Sequence, residues 1–316
     1  MNISRLPFDL FHAGWTRLGV AIQSAFCLVD PKPVRLRALE FLRQGARLRA
    51  MHWQGEQDYP VYVINRSKDT ERMSRFAESC RKWGISYERV DGVDLRQKPE
   101  FMDSFRNHVA ELCYNKNDFV RGIYGCFLGH REAWQRVANG SSDWALICED
   151  DARFLGPIPK NIKQFELPKN SEIIFCNQRM GDGLLLSETS HGTLPQGFEY
   201  VTMDEGLEKL LKFYPQIVAP GGDAYLLSKS GARKLLAVFE DTKMAFDVDW
   251  FMLFHSISDN AMGQFLKTDK TGRFDGYVSH RERLIGYVLV PSLVEQAEGE
   301  SKVRRMEFCT REELFC

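Results

Sequence analysis

The chain has 316 residues, 44% apolar and 12% aromatic, enough for one large core or two modest ones, because domains run to roughly 100–200 residues. Its 42 basic and 43 acidic residues leave a net charge of −1, which excludes a whole-molecule field drawing it to nucleic acid or acidic polymers and sets it apart from disordered, charge-rich tails. Its eight cysteines are scattered with no CxxC pair, so their spacing indicates neither a zinc site nor a disulfide framework.

Residues 1–58 read as a basic, amphipathic helical extension. Arg5, Arg17, Lys32, Arg35, Arg37, Arg43, Arg47 and Arg49 outnumber Asp9, Asp30, Glu40, Glu56 and Asp58, and alternate with Leu6, Phe8, Leu10, Phe11, Trp15, Leu18 and Ile22. Such a segment suits an anionic membrane surface, and equally suits packing on the main domain or on a second copy of the chain. Pro31-Lys32-Pro33 divides it into two candidate helices. The N-terminus lacks the pattern of a secretory signal, and no uncharged apolar run reaches the roughly 18 residues of a membrane span. Cys148 and Cys176 close apolar runs, as thiols do in a reducing compartment. The expectation is a cytoplasmic protein, soluble or peripheral on the inner face of a membrane.

From Tyr59 the pattern alternates between strand and helix. Val61–Ile64 is a β-branched run, Met73, Phe76, Ala77 and Cys80 recur on one helical face, Gly84 ends that helix, and Ile85–Val90 forms a second strand. The stretch 97–119 is polar and irregular. A helix follows over Phe127–Ala138, then a buried strand Ala145–Cys148, a strand Glu172–Cys176, a long Gly-rich loop over 181–206, and a strand Ala224–Leu227 leading into a helix with Ala232, Leu235, Leu236 and Phe239 inward. This alternation predicts an α/β sheet with helices on both faces over 59–300, followed by a tail at 301–316.

The strand Ala145–Cys148 runs into three consecutive carboxylates, Glu149, Asp150 and Asp151. Ligands of open α/β sheets bind where strands end, and clustered carboxylates need a cation or a basic side chain to neutralise them. Oxygen donors of this kind suit Mn²⁺ or Mg²⁺ bridging to substrate phosphates; a solvated acidic turn is the plain alternative. Asn65 to Arg72 places Arg66, Lys68 and Arg72 after the first strand, at the start of a helix, where phosphate groups bind. Asp69 or Thr70 there reads equally as a helix cap. A nucleotidyltransferase would need a glycine-rich phosphate loop with a lysine at this point, and 65–72 contains no glycine.

Six segments in order, YVINRSKDTERMSRF, WGISYERVDGVDL, GCFLGHREAWQRV, WALICEDDARF, GGDAYLLSKSGARKLL and DVDWFM, together resemble glycosyltransferase family 25, the lipooligosaccharide-biosynthesis and procollagen galactosyltransferase group. The resemblance spans about Tyr59 to Gln296. It implies a GT-A-like nucleotide-sugar-binding domain, a divalent cation, and a donor that is frequently UDP-galactose. The acceptor it implies is a glycan such as lipopolysaccharide, lipid-linked if the basic extension meets a membrane.

Carried over by position, Asn65, Arg66, Arg72, Gly125, His130 and Glu149 line the donor pocket, with Cys126 beside them. Glu149 and Asp151 hold the metal, with His280 as a further ligand or simply a surface or core residue. An inverting transfer requires a general base, for which Asp249 is the first candidate and Asp223 the second; Trp250 is a candidate for stacking on a sugar. Gly129 stands where the family usually has serine, and Gly222-Asp223 adds a carboxylate near the presumed acceptor side. Asp150 receives no role. The competing reading is a non-catalytic nucleotide-sugar- or glycan-binding protein on the same fold.

Overall fold

The computed structural model describes residues 53, 55–95, 117–181, 184, 198–213, 220–243, 245, 247–268 and 282–297. The basic extension up to residue 52, the irregular stretch 97–116, most of the Gly-rich loop, His280 and the tail 301–316 lie outside them.

Among the described residues the elements follow in this order: β1 Val61–Asn65, α1 Thr70–Trp83, β2 Glu88–Asp91, α2 Asn117–Asn139, β3 Trp144–Glu149, β4 Ala152–Phe154, β5 Ile173–Phe175, β6 Glu199–Thr202 and α3 Met203–Phe213. Then come β7 Ala224–Ser228, α4 Lys229–Thr242, α5 Val248–Phe254, α6 Asp259–Thr268, β8 Gly286–Val290 and β9 Val294–Gln296. Seven strands form one sheet in the order β2-β1-β3-β7-β5-β8-β6, and β4 pairs with β9 in a small second sheet. Strands β7 and β6 run against the other five. The architecture is the mixed α/β, GT-A-like one expected.

Successive strand residues point to opposite faces, and this period divides the core in two. Tyr62, Ile64, Ala145, Ile147, Phe175, Tyr225 and Leu227 pack with residues of α2, α4 and α5. Val61, Val63, Leu146, Cys148, Ile174, Cys176, Ala224 and Leu226 pack with Phe76 and Cys80 of α1, and with Phe154 and Phe165. Cys148 and Cys176 are buried free thiols. Helix α1 stops at Gly84, whose left-handed φ of 62° costs glycine little.

Several boundaries differ from the sequence reading. Helix α2 begins at Asn117, ten residues before Phe127, and its first turns contain Gly122 and Gly125, which interrupt a helical pattern in the sequence. Strand β2 covers only Glu88–Asp91. The supposed loop to Gly206 closes with β6, which pairs with β8, and with the start of α3. No described helix is long and apolar enough to cross a membrane.

Candidate active site

Strand β1 lies between β2 and β3, and both neighbours run parallel to it. The connection from β1 runs to β2 on one side and that from β2 crosses back past β1 to β3 on the other, opening a crevice at the carboxyl ends of the strands. Glu149 is the last residue of β3 rather than part of the following loop. Register places it beside Asp223: Cys148 pairs with Ala224, and the Glu149 N–H donates to the Asp223 carbonyl at 3.0 Å. By the same alternation, the Glu149 side chain points to the α2 face and that of Asp150 to the α1 face.

On the α1 face a tether forms. Asp150, 7% exposed, accepts from Asn65 Nδ2 at 2.7 Å and pairs with an Arg72 guanidinium nitrogen at 2.5 Å. The same nitrogen stands 3.0 Å from Asp151. Asn65 Nδ2 also donates to the Asp69 carbonyl, so β1, the start of α1 and the acidic turn are fixed to one another. Asp150 thus has a structural role that the sequence did not reveal. Asp69 makes no side-chain cap; its carboxylate takes Arg66 Nε at 2.5 Å instead. Arg66 stays 42% exposed, open to the crevice.

On the α2 face, Glu149, Asp151 and Asp223 each bring a carboxylate oxygen within 4.8 Å of the other two. Asp151 is held by Gln296 Nε2 at 2.8 Å on one oxygen, while its buried Oδ1 has no hydrogen-bond partner. Asp223, 2% exposed, likewise keeps Oδ2 without one, with Arg179 Nε standing 3.7 Å off. Orphaned buried acceptors are rare, and these two belong to the same cluster. Three carboxylates, two of them with an unsatisfied buried oxygen, fit a divalent cation of the Mn²⁺ or Mg²⁺ kind. Asp223, expected near the acceptor, is part of this donor set.

Electrostatics agree. Burial raises the Glu149 carboxyl well above its usual range, and the charges of Asp151 and Asp249 add to this against the opposing pull of Arg72. Burial moves Asp223 to about 8, opposed by Arg179 and reinforced by Glu149 and Asp151. Without a cation, the folded chain holds these protons while an unfolded carboxylate, with pKa about 4, has released them. Stability of the metal-free protein therefore falls as pH rises from about 4 towards about 8. Saturating Mn²⁺ is expected to raise Tm by about 5 °C or more at pH 8 and by clearly less at pH 5, read by calorimetry. Comparing increments cancels the opposite contribution of His130.

His130 is fully buried on α2, and burial lowers its pKa to about 4. The Trp134 Nε1–H can only donate, and it reaches the Tyr225 hydroxyl oxygen at 2.8 Å. That hydroxyl can then donate to His130 Nδ1, also at 2.8 Å, and in that tautomer the ring proton sits on Nε2, 3.3 Å from Glu149 Oε1. His130 thus orients Glu149 from within the core.

Glycines set the spacing. A Cβ on Gly222 would stand 2.8 Å from Glu149 Oε1, and one on Gly129 would stand 2.7 Å from Ile64 Cγ2. The absence of serine at Gly129 is thus a packing requirement of α2 against β1 rather than a lost hydroxyl contact. Gly125 lets α2 approach the Val93 carbonyl, 2.4 Å from where a Cβ would lie. Gly222→Ala is expected to displace the Glu149 carboxylate and weaken Mn²⁺ binding about tenfold with little change in Tm, as isothermal titration would record.

Asp249 sits in the first turn of α5, whose N-cap position is Asp247, with no side-chain capping bond. Its carboxylate is 26% exposed and 4.0 Å from an Arg179 nitrogen. Trp250 is not available to a sugar: it is 7% exposed and packs on Phe254 and Phe265. The sequence reading missed Arg179, which links Asp223, Asp249 and Gln296. It follows the buried Asn177, whose Nδ2 donates to the Pro220 and Gly221 carbonyls and whose Oδ1 accepts from the Arg179 N–H. The signal was there: like the acidic triplet, Asn177-Gln178-Arg179 follows an apolar strand.

The family model for glycosyltransferase family 25 (LPS biosynthesis protein) matches residues 58–252. The chain belongs to glycosyltransferase family 25. That match takes in β1, the acidic triplet, Arg179, Asp223 and Asp249. It is 27% identical over 188 residues to a mouse protein named inactive glycosyltransferase 25 family member 3, covering 56% of this chain and 28% of that one. To a glycosyltransferase 25 family member of Anopheles gambiae it is 30% identical over 98 residues, 30% of this chain and 17% of the relative. To human procollagen galactosyltransferase 2 it is 24% identical over 135 residues, 38% and 20% respectively. The chain spans less than a third of the length of these relatives.

Proposed function

We propose that this family 25 chain transfers galactose from UDP-galactose to a glycan acceptor, with a divalent cation held by Glu149, Asp151 and Asp223. The observation that carries this reading is the convergence of three carboxylates, two with unsatisfied buried oxygens, at the strand ends. Galactose is suggested by the name of the human relative, and lipopolysaccharide as the acceptor class by the family description. A bound cation would supply Lewis-acid neutralisation of the leaving diphosphate. Arg66, in the turn before α1, would meet donor phosphates, Arg72 fixes the acidic turn, and Arg179 lies within ion-pair distance of both Asp223 and Asp249. Asp249, part-exposed at the rim, is positioned to take the acceptor hydroxyl proton in an inverting transfer.

The name of the mouse relative favours a second reading, a binding protein without turnover. Hydrolysis and transfer assays over a panel of nucleotide sugars, with Mn²⁺ and with chelator, separate the two. Turnover of UDP-galactose that needs Mn²⁺ and is lost in Asp151→Asn supports the transferase. Donor binding without turnover on any sugar supports the binder, and activity retained in Asp151→Asn rejects the metal assignment.

A further inference from the structure

Cysteine spacing in the sequence points to no zinc site, yet the fold builds one kind of thiol-containing donor set. Cys126 and His130 stand four residues apart on α2, one turn along the same helical face. Cys126 Sγ, a His130 ring nitrogen and a Glu149 carboxylate oxygen all lie within 4.8 Å of one another. A tetrahedral ion with bonds of about 2.0–2.3 Å keeps its donors about 3.5 Å apart, so side-chain rotation of about 1 Å closes the set.

We infer that Cys126, His130 and Glu149 form a second cation site, of the zinc class, that shares Glu149 with the oxygen-donor site. Thiolate and imidazole select Zn²⁺ or Co²⁺, whereas the all-oxygen set of Glu149, Asp151 and Asp223 selects Mn²⁺ or Mg²⁺. Three protein donors leave a fourth position for water. The ligand arrangement behind His130 supports the assignment. Nε2 faces Glu149 at 3.3 Å, and Nδ1 is held by the Tyr225 hydroxyl, which serves as donor or acceptor. The ring can therefore pass its proton to Nδ1 and free the Nε2 lone pair while keeping its buried partner, as ligating histidines do. Because one carboxylate serves both sets, a thiophilic ion draws Glu149 towards α2 and away from Asp151 and Asp223. Zinc-class ions thereby compete with the catalytic cation from a neighbouring position. The site itself is independent of the proposed sugar transfer; its inhibitory consequence rests on that reading.

Titration of the full chain with Co²⁺ tests the assignment. The expected result is a thiolate-to-cobalt charge-transfer band in the near ultraviolet, lost in Cys126→Ser and kept in Asp151→Asn, which alters only the oxygen-donor site. In the parent chain, saturating Zn²⁺ is expected to raise the Mn²⁺ concentration for half-saturation at least about tenfold more than it does in Cys126→Ser, where Zn²⁺ competes only at the oxygen donors. A band that survives in Cys126→Ser would come from other cysteines and would overturn the site. A Zn²⁺ effect on Mn²⁺ binding no larger in the parent chain than in Cys126→Ser would overturn the sharing of Glu149. A thermal melt of Cys126→Ser matching the parent shows that loss of the band is not unfolding; should that variant melt early, Cys126→Ala provides the same reading.

Discussion

Glu149→Gln is expected to reduce Mn²⁺ affinity at least about 100-fold, since even the outer partners of a metal site cost 10–100-fold when removed. The substitution keeps the shape of the side chain and its bond from His130 Nε2, because an amide oxygen still accepts. It removes a charge that burial and the neighbouring Asp151 already disfavour. The metal-free protein should therefore melt no lower than the parent, and separating that stability from lost binding is the purpose of the variant. Isothermal titration with Mn²⁺, alongside a thermal melt without metal, reads both quantities. Undiminished Mn²⁺ affinity would remove Glu149 from the donor set, while a lower metal-free Tm would mean that its charge supports the fold.

The acidic triplet was legible as a candidate because it follows an apolar run, a relation between neighbours in the chain. How it divides its labour was not legible, because that depends on register. Whether a strand ends at Cys148 or Glu149 decides which carboxylates face α1 and which face α2, and β3 runs one residue further than its apolar pattern suggests. Asp223 was legible as a second candidate base beside a glycine pair, not as a ligand. Its place among the ligands depends on the antiparallel pairing of β3 with β7, a contact across more than seventy positions. Trp250 illustrates the reverse: an aromatic beside a candidate base invites a sugar, but its helix turns it into the cluster with Phe254 and Phe265. Arg179 carried the same local signal as the triplet, polar residues after a buried strand, and was passed over because it is a single charge.

The other large effect concerns the face of the triplet turned away from the cation. Arg72→Met is expected to destabilise the protein by about 3 kcal/mol, at the lower end for breaking a buried ion pair, because the Arg72 side chain is itself 34% exposed. The loss arises at Asp150, 8% exposed at its side chain, which would keep Asn65 as a hydrogen-bond donor but lose its charge partner. Asp151 would lose the same guanidinium nitrogen. Methionine matches the length of the stem, so packing on α1 is largely kept and the effect is electrostatic. Two carboxylates then remain close together with less positive charge between them, so a bound cation should return more stability than it does in the parent. Denaturant unfolding with and without Mn²⁺ measures both quantities. A Mn²⁺ increment no larger than the parent's would show that Arg72 and the cation act on separate carboxylates, with Asp150 alone depending on the arginine.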